Sequence, residues 1–184
     1  PETWYEWMAI PSYALAAACA GEIFYDGSGD MTGIRETLRT GMPEDVRIKK
    51  IAGHAALMAQ SGQYNVSRCR CHGEESAARL ACCEFVNHTL AMLFLLNGRH
   101  MPFYKWAFRA AKELPKLAEL VPALEALLRE PDEDTIERVS AAVIEELRAQ
   151  GLTDGGWDFL EPHAYAVMRR IQNPEIAALH IMEV

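Results

Sequence analysis

The sequence predicts an all-α protein, a helical bundle arranged around one long central helix. In residues 74–97, apolar side chains recur at helical spacing and surround the helix completely in its last turns. A helix with so little polar surface must be covered by other helices. The segments on both sides show helical periodicity too, and Gly, Pro and Asn separate them. A bundle wrapped around residues 74–97 follows from these observations.

The composition is that of an ordinary globular domain. The chain has 184 residues, of which 50% are hydrophobic and 24% are charged, so it can form its own core. Its net charge of -8 argues against general nucleic-acid binding, which needs clustered Lys and Arg. It shows neither an uninterrupted apolar run of membrane-spanning length nor a secretory leader pattern, so we expect a cytoplasmic protein without a membrane partner. Because it opens with Pro1, we expect a longer parent protein.

The first forty residues mix helix and turn signals. Residues 1–20 are predicted to be helical with a break near Pro11, and residues 22–25 resemble a short strand. The turn that follows, Asp26 to Asp30, is rich in glycine, as phosphate-binding turns are. It has no Walker lysine and no Asp-x-Asp pair, so we interpret it as a plain turn. The prediction is a small N-terminal strand-turn unit.

The remaining helices are predicted from the Pro, Gly and capping residues at their ends. Pro43 begins a helix that Gly62 is expected to end, and residues 63–72 are predicted to be a loop. Asp134 and Glu137 resemble a capping box. Further helices are predicted at residues 34–39, 102–114, 117–127, 134–151 and 162–171, with a short final helix after residue 173.

Five cysteines are an odd number, which predicts reduced thiols rather than a disulfide framework. The alternative is a zinc site, because Cys-x-Cys-His is followed by a Cys-Cys pair. We favour small buried side chains on a helix and the loop before it, and we predict no metal site. The cysteines are Cys19, Cys69, Cys71, Cys82 and Cys83.

Glu84 and His88 form the first candidate site. They lie four residues apart on the central helix, so they share one face. In apolar surroundings their pKa values could approach neutrality, which makes Glu84 a candidate general base. The simpler alternative is a pair whose members satisfy each other or a basic neighbour.

Cations interleaved with aromatic residues form the second candidate site. Lys105 and Arg109 share a face of the helix that follows Pro102, close to the end of the central helix. Guanidinium groups pair with phosphate and aromatic rings stack on bases, so this pattern favours a small anionic or nucleotide-like ligand. The alternative is an amphipathic helix with its cations in water. The expected pocket consists of Arg99, Tyr104, Lys105 and Arg109, with Tyr64 and Glu84 nearby.

Arg47 and His54 provide a weaker candidate. Their spacing on one helix is that of the Arg and His found in a class of helical ribonuclease domains. The alternative function is therefore a metal-independent ribonuclease-type helical bundle. In the simplest alternative both side chains are exposed to solvent.

Three stretches carry a family resemblance: PEDVRIKK from Pro43, AQSGQYN from Ala59 and LLNGRHMPFYKWAFRA from Leu95. They resemble the C-terminal helical part of an uncharacterised bacterial nucleotidyltransferase-like family, a domain of unknown function. The resemblance implies that residues 1–40 are the tail end of an α/β head. It also implies that residues 41–184 are a substrate-binding-like bundle that holds the acceptor substrate for that head. Magnesium and a nucleoside triphosphate are implied only for the head.

One departure from the nucleotidyltransferase pattern decides the expected activity. Gly27-Ser28 is not followed by the Asp-x-Asp pair that would bind the activating metal. We therefore expect a non-catalytic fragment that binds the acceptor, with the N-terminal head of the same protein as its partner. A pure scaffolding bundle and a homo-oligomer remain open alternatives.

Overall fold

The computed structural model describes residues 1–184, and its regular elements are all helical. A π-helical segment, Ala59–Val66, joins α4 to α5, and a short 3-10 helix, Ala118–Leu120, precedes α8. The α-helices are α1 (Trp4–Ala9), α2 (Ser12–Cys19), α3 (Asp30–Thr40), α4 (Glu44–Met58), α5 (Ser67–Cys71), α6 (Glu75–Leu96), α7 (Tyr104–Ala111), α8 (Val121–Leu127), α9 (Glu133–Ala149), α10 (Leu160–Met168) and α11 (Pro174–Ala177). The predicted all-α class is confirmed.

The central helix, α6, is the one that the sequence predicts. Every residue from Thr89 to Leu96 is buried, so its last two turns are covered on all sides. By length and composition alone, α6 could cross a membrane. However, 67% of its apolar window is buried inside the fold, which is consistent with the core helix of a soluble protein.

A second buried helix, α4, lies between α6 and α10. Its residues Val46, Ile51 and Met58 are fully buried in a core that continues into the first three helices through Trp7 and Leu38. The N-terminal helices and the bundle therefore share one core.

The predicted strand at residues 22–25 is wrong. No segment pairs with it, and Phe24 and Tyr25 are 94% and 87% exposed. A lone strand has neither a ladder partner nor a buried face, so the alternation of apolar residues has nothing to stabilise it. The turn begins α3 instead, because the Asp26 carboxylate accepts hydrogen bonds from the backbone N–H groups of Met31 and Thr32.

The predicted loop at residues 63–72 is also wrong, because α4 continues into the π-helical segment, which contains Gly62, and then into α5. A Cβ atom at Gly62 would overlap the ring of Phe85 on α6. This glycine permits close packing of two helices and does not end one. A similar correction applies to α9, where Asp132 rather than Asp134 is the N-cap and accepts from the Thr135 N–H at 2.9 Å.

Candidate binding site at the carboxyl end of the central helix

Three cavities surround His100, which lies in the link between α6 and α7. The outer cleft, about 290 Å³, is lined by Arg39, Thr40, Met42, Glu44, Arg47, Leu95, Gly98, Arg99 and His100. The inner cavity, about 350 Å³, is lined by Met8, Ala9, Ile10, Pro11, Ser12, Leu15, Met42, Lys50, His54, Asn87, His88, Ala91, Leu95, His100, Met101 and Val184. A side groove, about 400 Å³, shares Arg39, Gly98, Arg99 and His100 with the outer cleft.

The end of α6 places His100 in a defined turn. Gly98 has a φ of 63°, and its N–H donates to Leu95 O, while the Arg99 N–H donates to Phe94 O. These two bonds form a Schellman motif, which needs a left-handed residue at the position of Gly98. The Asn97 side chain secures the turn from the other side by donating to Leu93 O at 2.8 Å.

His100 has one satisfied and one unsatisfied ring nitrogen. Its Nε2 lies 2.6 Å from Leu38 O, so Nε2 carries the hydrogen and donates it. Its Nδ1 is buried without a partner. The ring stacks on Trp7 with centroids 6.2 Å apart. His100 is therefore held in place with an unused acceptor among three cavities.

The outer cleft concentrates positive charge in an acidic protein, because three guanidinium groups and a single carboxylate line it. The Arg47 guanidinium pairs with Glu44 at 2.6 Å and also reaches Gln150. Arg39 donates to Cys19 O at 3.1 Å, and the Arg99 side chain has no hydrogen-bond partner within the protein. Arg99 is thus a free cation at a concave surface.

The inner cavity contains a pair of histidines, His54 from α4 and His88 from α6. Their Nδ1 atoms lie 3.1 Å apart and share one hydrogen bond. Burial and the neighbouring His88 lower the pKa of His54 to about 3, and burial lowers the pKa of His88. Both rings are therefore neutral at pH 7.

Two consecutive lysines on α4 are buried near this pair. Lys49 is fully buried, and its Nζ donates to Ile181 O at 3.3 Å and to Glu183 O. Burial lowers its pKa to about 8. Lys50, 8% exposed, lines the inner cavity, and its Nζ reaches only Met8 O at 3.5 Å. Burial lowers the pKa of Lys50 as well.

Of the binding residues expected from the sequence on the link and α7, only Arg99 lines the outer cleft. Tyr104, Lys105 and Arg109 are exposed on α7 and line none of the five main cavities. Arg109 lies over the ring of Trp106, 5.4 Å from its centroid. Arg99 therefore lines the outer cleft without the cations of α7.

Tyr64 and Glu84 lie elsewhere too. The Tyr64 hydroxyl accepts from Arg68 Nη1 at 2.8 Å, and Tyr64 lines a different cavity of about 240 Å³. Glu84 is exposed and makes no hydrogen bond to His88, which bonds to His54 instead. The expected pocket of six residues is not assembled at one place.

The other sequence candidates are placed as follows. Arg47 lines the outer cleft, whereas His54 lines the inner cavity, so different cavities receive the two side chains. The cysteines are all free thiols, and burial raises the pKa of Cys82 to about 11. No group of three or more His, Cys, Asp or Glu residues is arranged to hold a metal ion. At the Gly27-Ser28 turn, the carboxylates of Asp26 and Asp30 accept hydrogen bonds from neighbouring residues of the turn and α3.

Sequence reasoning missed Arg39, Lys50 and the pairing of His54 with His88. A signal for Lys50 exists, because two adjacent lysines lie between Ile48 and Ile51 in an otherwise apolar part of α4. The histidine pair joins two helices, so no spacing within one helix reveals it.

Comparison with protein families gives one match, to the family described as Domain of unknown function (DUF4037), over residues 7–107. Neither the comparison with curated proteins nor that with solved structures finds a match. Every residue of the outer cleft falls within the matched range. Because the match covers more than half of the sequence, the chain belongs to the DUF4037 family, a domain of unknown function.

Proposed function

We propose that this chain is a binding domain that holds a small anionic or nucleotide-like ligand in the outer cleft. The observation that supports the proposal is the convergence of Arg39, Arg47 and Arg99 on one concave surface that contains one carboxylate. The chain as a whole is acidic, with a net charge of -8. A local excess of guanidinium groups in such a chain favours an anion at this place.

The chemistry of the cleft suits a phosphate group. A guanidinium presents parallel N–H donors that match two phosphate oxygens, and Arg99 has all of its donors free. Glu44 occupies Arg47 in part, so Arg47 serves to hold the cleft in shape as well as to add charge. A volume of about 290 Å³ lies at the lower end of the range for small-molecule sites, which favours a compact phosphorylated ligand.

The resemblance of residues 43–50, 59–65 and 95–110 to the nucleotidyltransferase-like family supports a finer proposal. The ligand would be the acceptor substrate, presented to a catalytic head of the same cytoplasmic protein. Magnesium and the nucleoside triphosphate would belong to that head, and this chain alone would not catalyse transfer. Its own residues would bind and orient the acceptor.

Calorimetric titration with inorganic phosphate and with AMP tests the proposal. We expect both to bind, and we expect the affinity to fall as salt is raised, because the attraction is electrostatic. Arg99→Ala should weaken binding roughly tenfold while leaving the melting temperature almost unchanged, since Arg99 is exposed and makes no side-chain hydrogen bond.

Lys105→Ala combined with Arg109→Ala is the matched control. It removes exposed cations from α7, which does not line the cleft. The control should bind both ligands as the unmodified chain does. If neither ligand binds, the outer cleft is not an anion site, and if only the control variant loses affinity, the ligand binds on α7 instead.

A further inference from the structure

We infer that the inner cavity is a second binding site, which takes a compact organic acid with one carboxylate and an apolar body. The inner cavity differs from the outer cleft in its chemistry, because it combines one buried ammonium group and three imidazoles with apolar walls. The inference does not depend on phosphate binding in the outer cleft.

The first argument is the incomplete environment of Lys50. A buried ammonium group is costly unless its three donors meet acceptors or a counter-charge. The Lys50 ammonium meets one carbonyl at the limit of hydrogen-bond distance, and no carboxylate pairs with it. Its neighbour Lys49, which is fully buried, donates to two carbonyls. Lys50 therefore has free N–H donors on the wall of the inner cavity, and a bound anion would accept their hydrogen bonds.

The histidine pair supplies a second kind of contact. In a neutral pair, the ring that donates its Nδ1–H keeps a bare Nε2, and the ring that accepts at Nδ1 carries Nε2–H. Neither Nε2 has a hydrogen-bond partner within the protein. Together His54 and His88 thus present one donor, which can bond to a carboxylate oxygen, and one acceptor, which can bond to a hydroxyl group of the ligand.

The apolar walls of the inner cavity indicate the chemistry of the rest of the ligand. Apolar side chains from α1, α2, α6 and the link dominate it, among them Met8, Leu15, Ala91 and Met101. A phosphate dianion would lose its hydration here in exchange for a single ammonium group, which is unfavourable. A carboxylate needs only one cation, and an aliphatic or aromatic body would bury apolar surface against these walls.

Sodium hexanoate is a suitable probe, with hexan-1-ol and hexylamine as ligands of matched length. We expect hexanoate to bind at least roughly tenfold more tightly than hexan-1-ol, because the alcohol lacks the charge that faces Lys50. Hexylamine should bind most weakly, since its charge has the same sign as Lys50. If hexanoate and hexan-1-ol bind equally, the cavity does not recognise a carboxylate and the inference is wrong.

The site of binding is read from methyl NMR of the unmodified chain labelled at methionine. Met8 and Met101 line the inner cavity, whereas Met58 is buried elsewhere and Met31 is exposed on α3. Hexanoate should shift the methyl signals of Met8 and Met101 and leave those of Met58 and Met31 in place. Shifts confined to Met31, or no shifts at all, would contradict the inference without any substitution.

Lys50→Met tests the role of the ammonium group, and Lys105→Met is its control on the exposed face of α7. Methionine keeps the apolar stem of lysine, so the variant should fold. It should lose the preference for hexanoate over hexan-1-ol, whereas Lys105→Met should keep it. Arg99→Ala should bind hexanoate normally even if it loses phosphate, so failure of one site is distinguishable from failure of the other. Unchanged hexanoate binding by Lys50→Met overturns the inference.

Discussion

Helices α4 and α7 have similar composition but opposite environments. Each carries basic residues next to apolar ones, Lys49 and Lys50 in α4 and Lys105 and Arg109 in α7. The lysines of α4 are buried, because α4 is covered by α6 on one side and α10 on the other. The cations of α7 are exposed, because only its Ala107 and Ala111 face is buried.

The difference shows that local composition does not identify a cation that takes part in a site. The cations of α7 can be hydrated, so they impose no requirement on the rest of the molecule. The lysines of α4 are removed from water, so they need carbonyl groups from remote segments, namely Met8, Ile181 and Glu183. Substitutions on the two helices should therefore differ strongly in effect.

Lys49→Ala should have the largest effect on stability. It leaves the carbonyls of Ile181 and Glu183 without their donor and removes a fully buried side chain. We expect the free energy of unfolding to fall by about 2–4 kcal/mol. Urea denaturation monitored by circular dichroism measures it, with Lys105→Ala as the exposed control. A loss no larger than that of the control would remove the contrast between the two helices.

Gly62→Ala should have the next largest effect. The added Cβ would overlap the Phe85 ring and push the π-helical segment away from α6. Overpacking of this kind costs about 1–3 kcal/mol. Thermal unfolding of Gly62→Ala should show a lower melting temperature. The control Gly156→Ala, where the added Cβ meets no neighbour, should leave the melting temperature almost unchanged. If Gly62→Ala is as stable as the unmodified chain, Gly62 does not pack closely against Phe85.

The histidine pair should make stability depend on pH. In an unfolded chain a histidine titrates near pH 6.5, whereas the pKa of folded His54 is about 3. Between these values the unfolded state binds the proton and the folded state does not, so acid favours unfolding. The stability that neutral His54 gives the folded state is fully present above about pH 6.5. Below that pH, the free energy of unfolding falls by up to about 1.4 kcal/mol per pH unit.

Unfolding measured between pH 6.5 and 4.5 tests this dependence in comparison with the double variant His54→Leu and His88→Leu. The variant cannot titrate at either position, so its stability should change less with pH. Carboxylates such as Asp132, whose pKa is lowered by hydrogen bonds from Thr135, act equally in both proteins. Identical slopes would mean that the pair is protonated in the folded state.

Lys105→Ala with Arg109→Ala should have the smallest effect, within about 0.5 kcal/mol in urea denaturation. Lys105 makes no ion pair or hydrogen bond, and Arg109 only lies over Trp106. A loss comparable to that of Lys49→Ala would show that α7 is anchored through its cations. In that case the cations of α4 and α7 would contribute similarly to stability.

The fold was predictable wherever the hydrophobic pattern alone decides it. The central helix, the break at Pro11 and the Asn173 cap of α11 all follow from local sequence. Gly62 misleads because its role is set by Phe85, which is distant in sequence. Residues 22–25 mislead because strand formation requires a partner that the chain does not provide.

The candidate site was predictable only in part. Arg99 follows from the short link after α6. The carboxyl end of α3 brings Arg39 to the same cleft, and the crossing of α4 and α6 brings His54 to His88. Both are tertiary contacts, and neither leaves a periodic signal in the sequence.

The π-helical segment between α4 and α5 has a consequence for insertions and deletions. A π-helical turn closes a larger ring than an α-helical turn, so each residue advances the chain by less than the usual 100° or so of rotation. The segment thus has the effect of extra residues inserted in a straight α-helix. It sets the rotation of α5 and therefore the direction of the Arg70 side chain. Arg70 there donates to Pro131 O and lies near Glu75, Glu130 and Glu133. A homologue that lacks one residue in this segment would restore α-helical phase and turn Arg70 away from that acidic cluster.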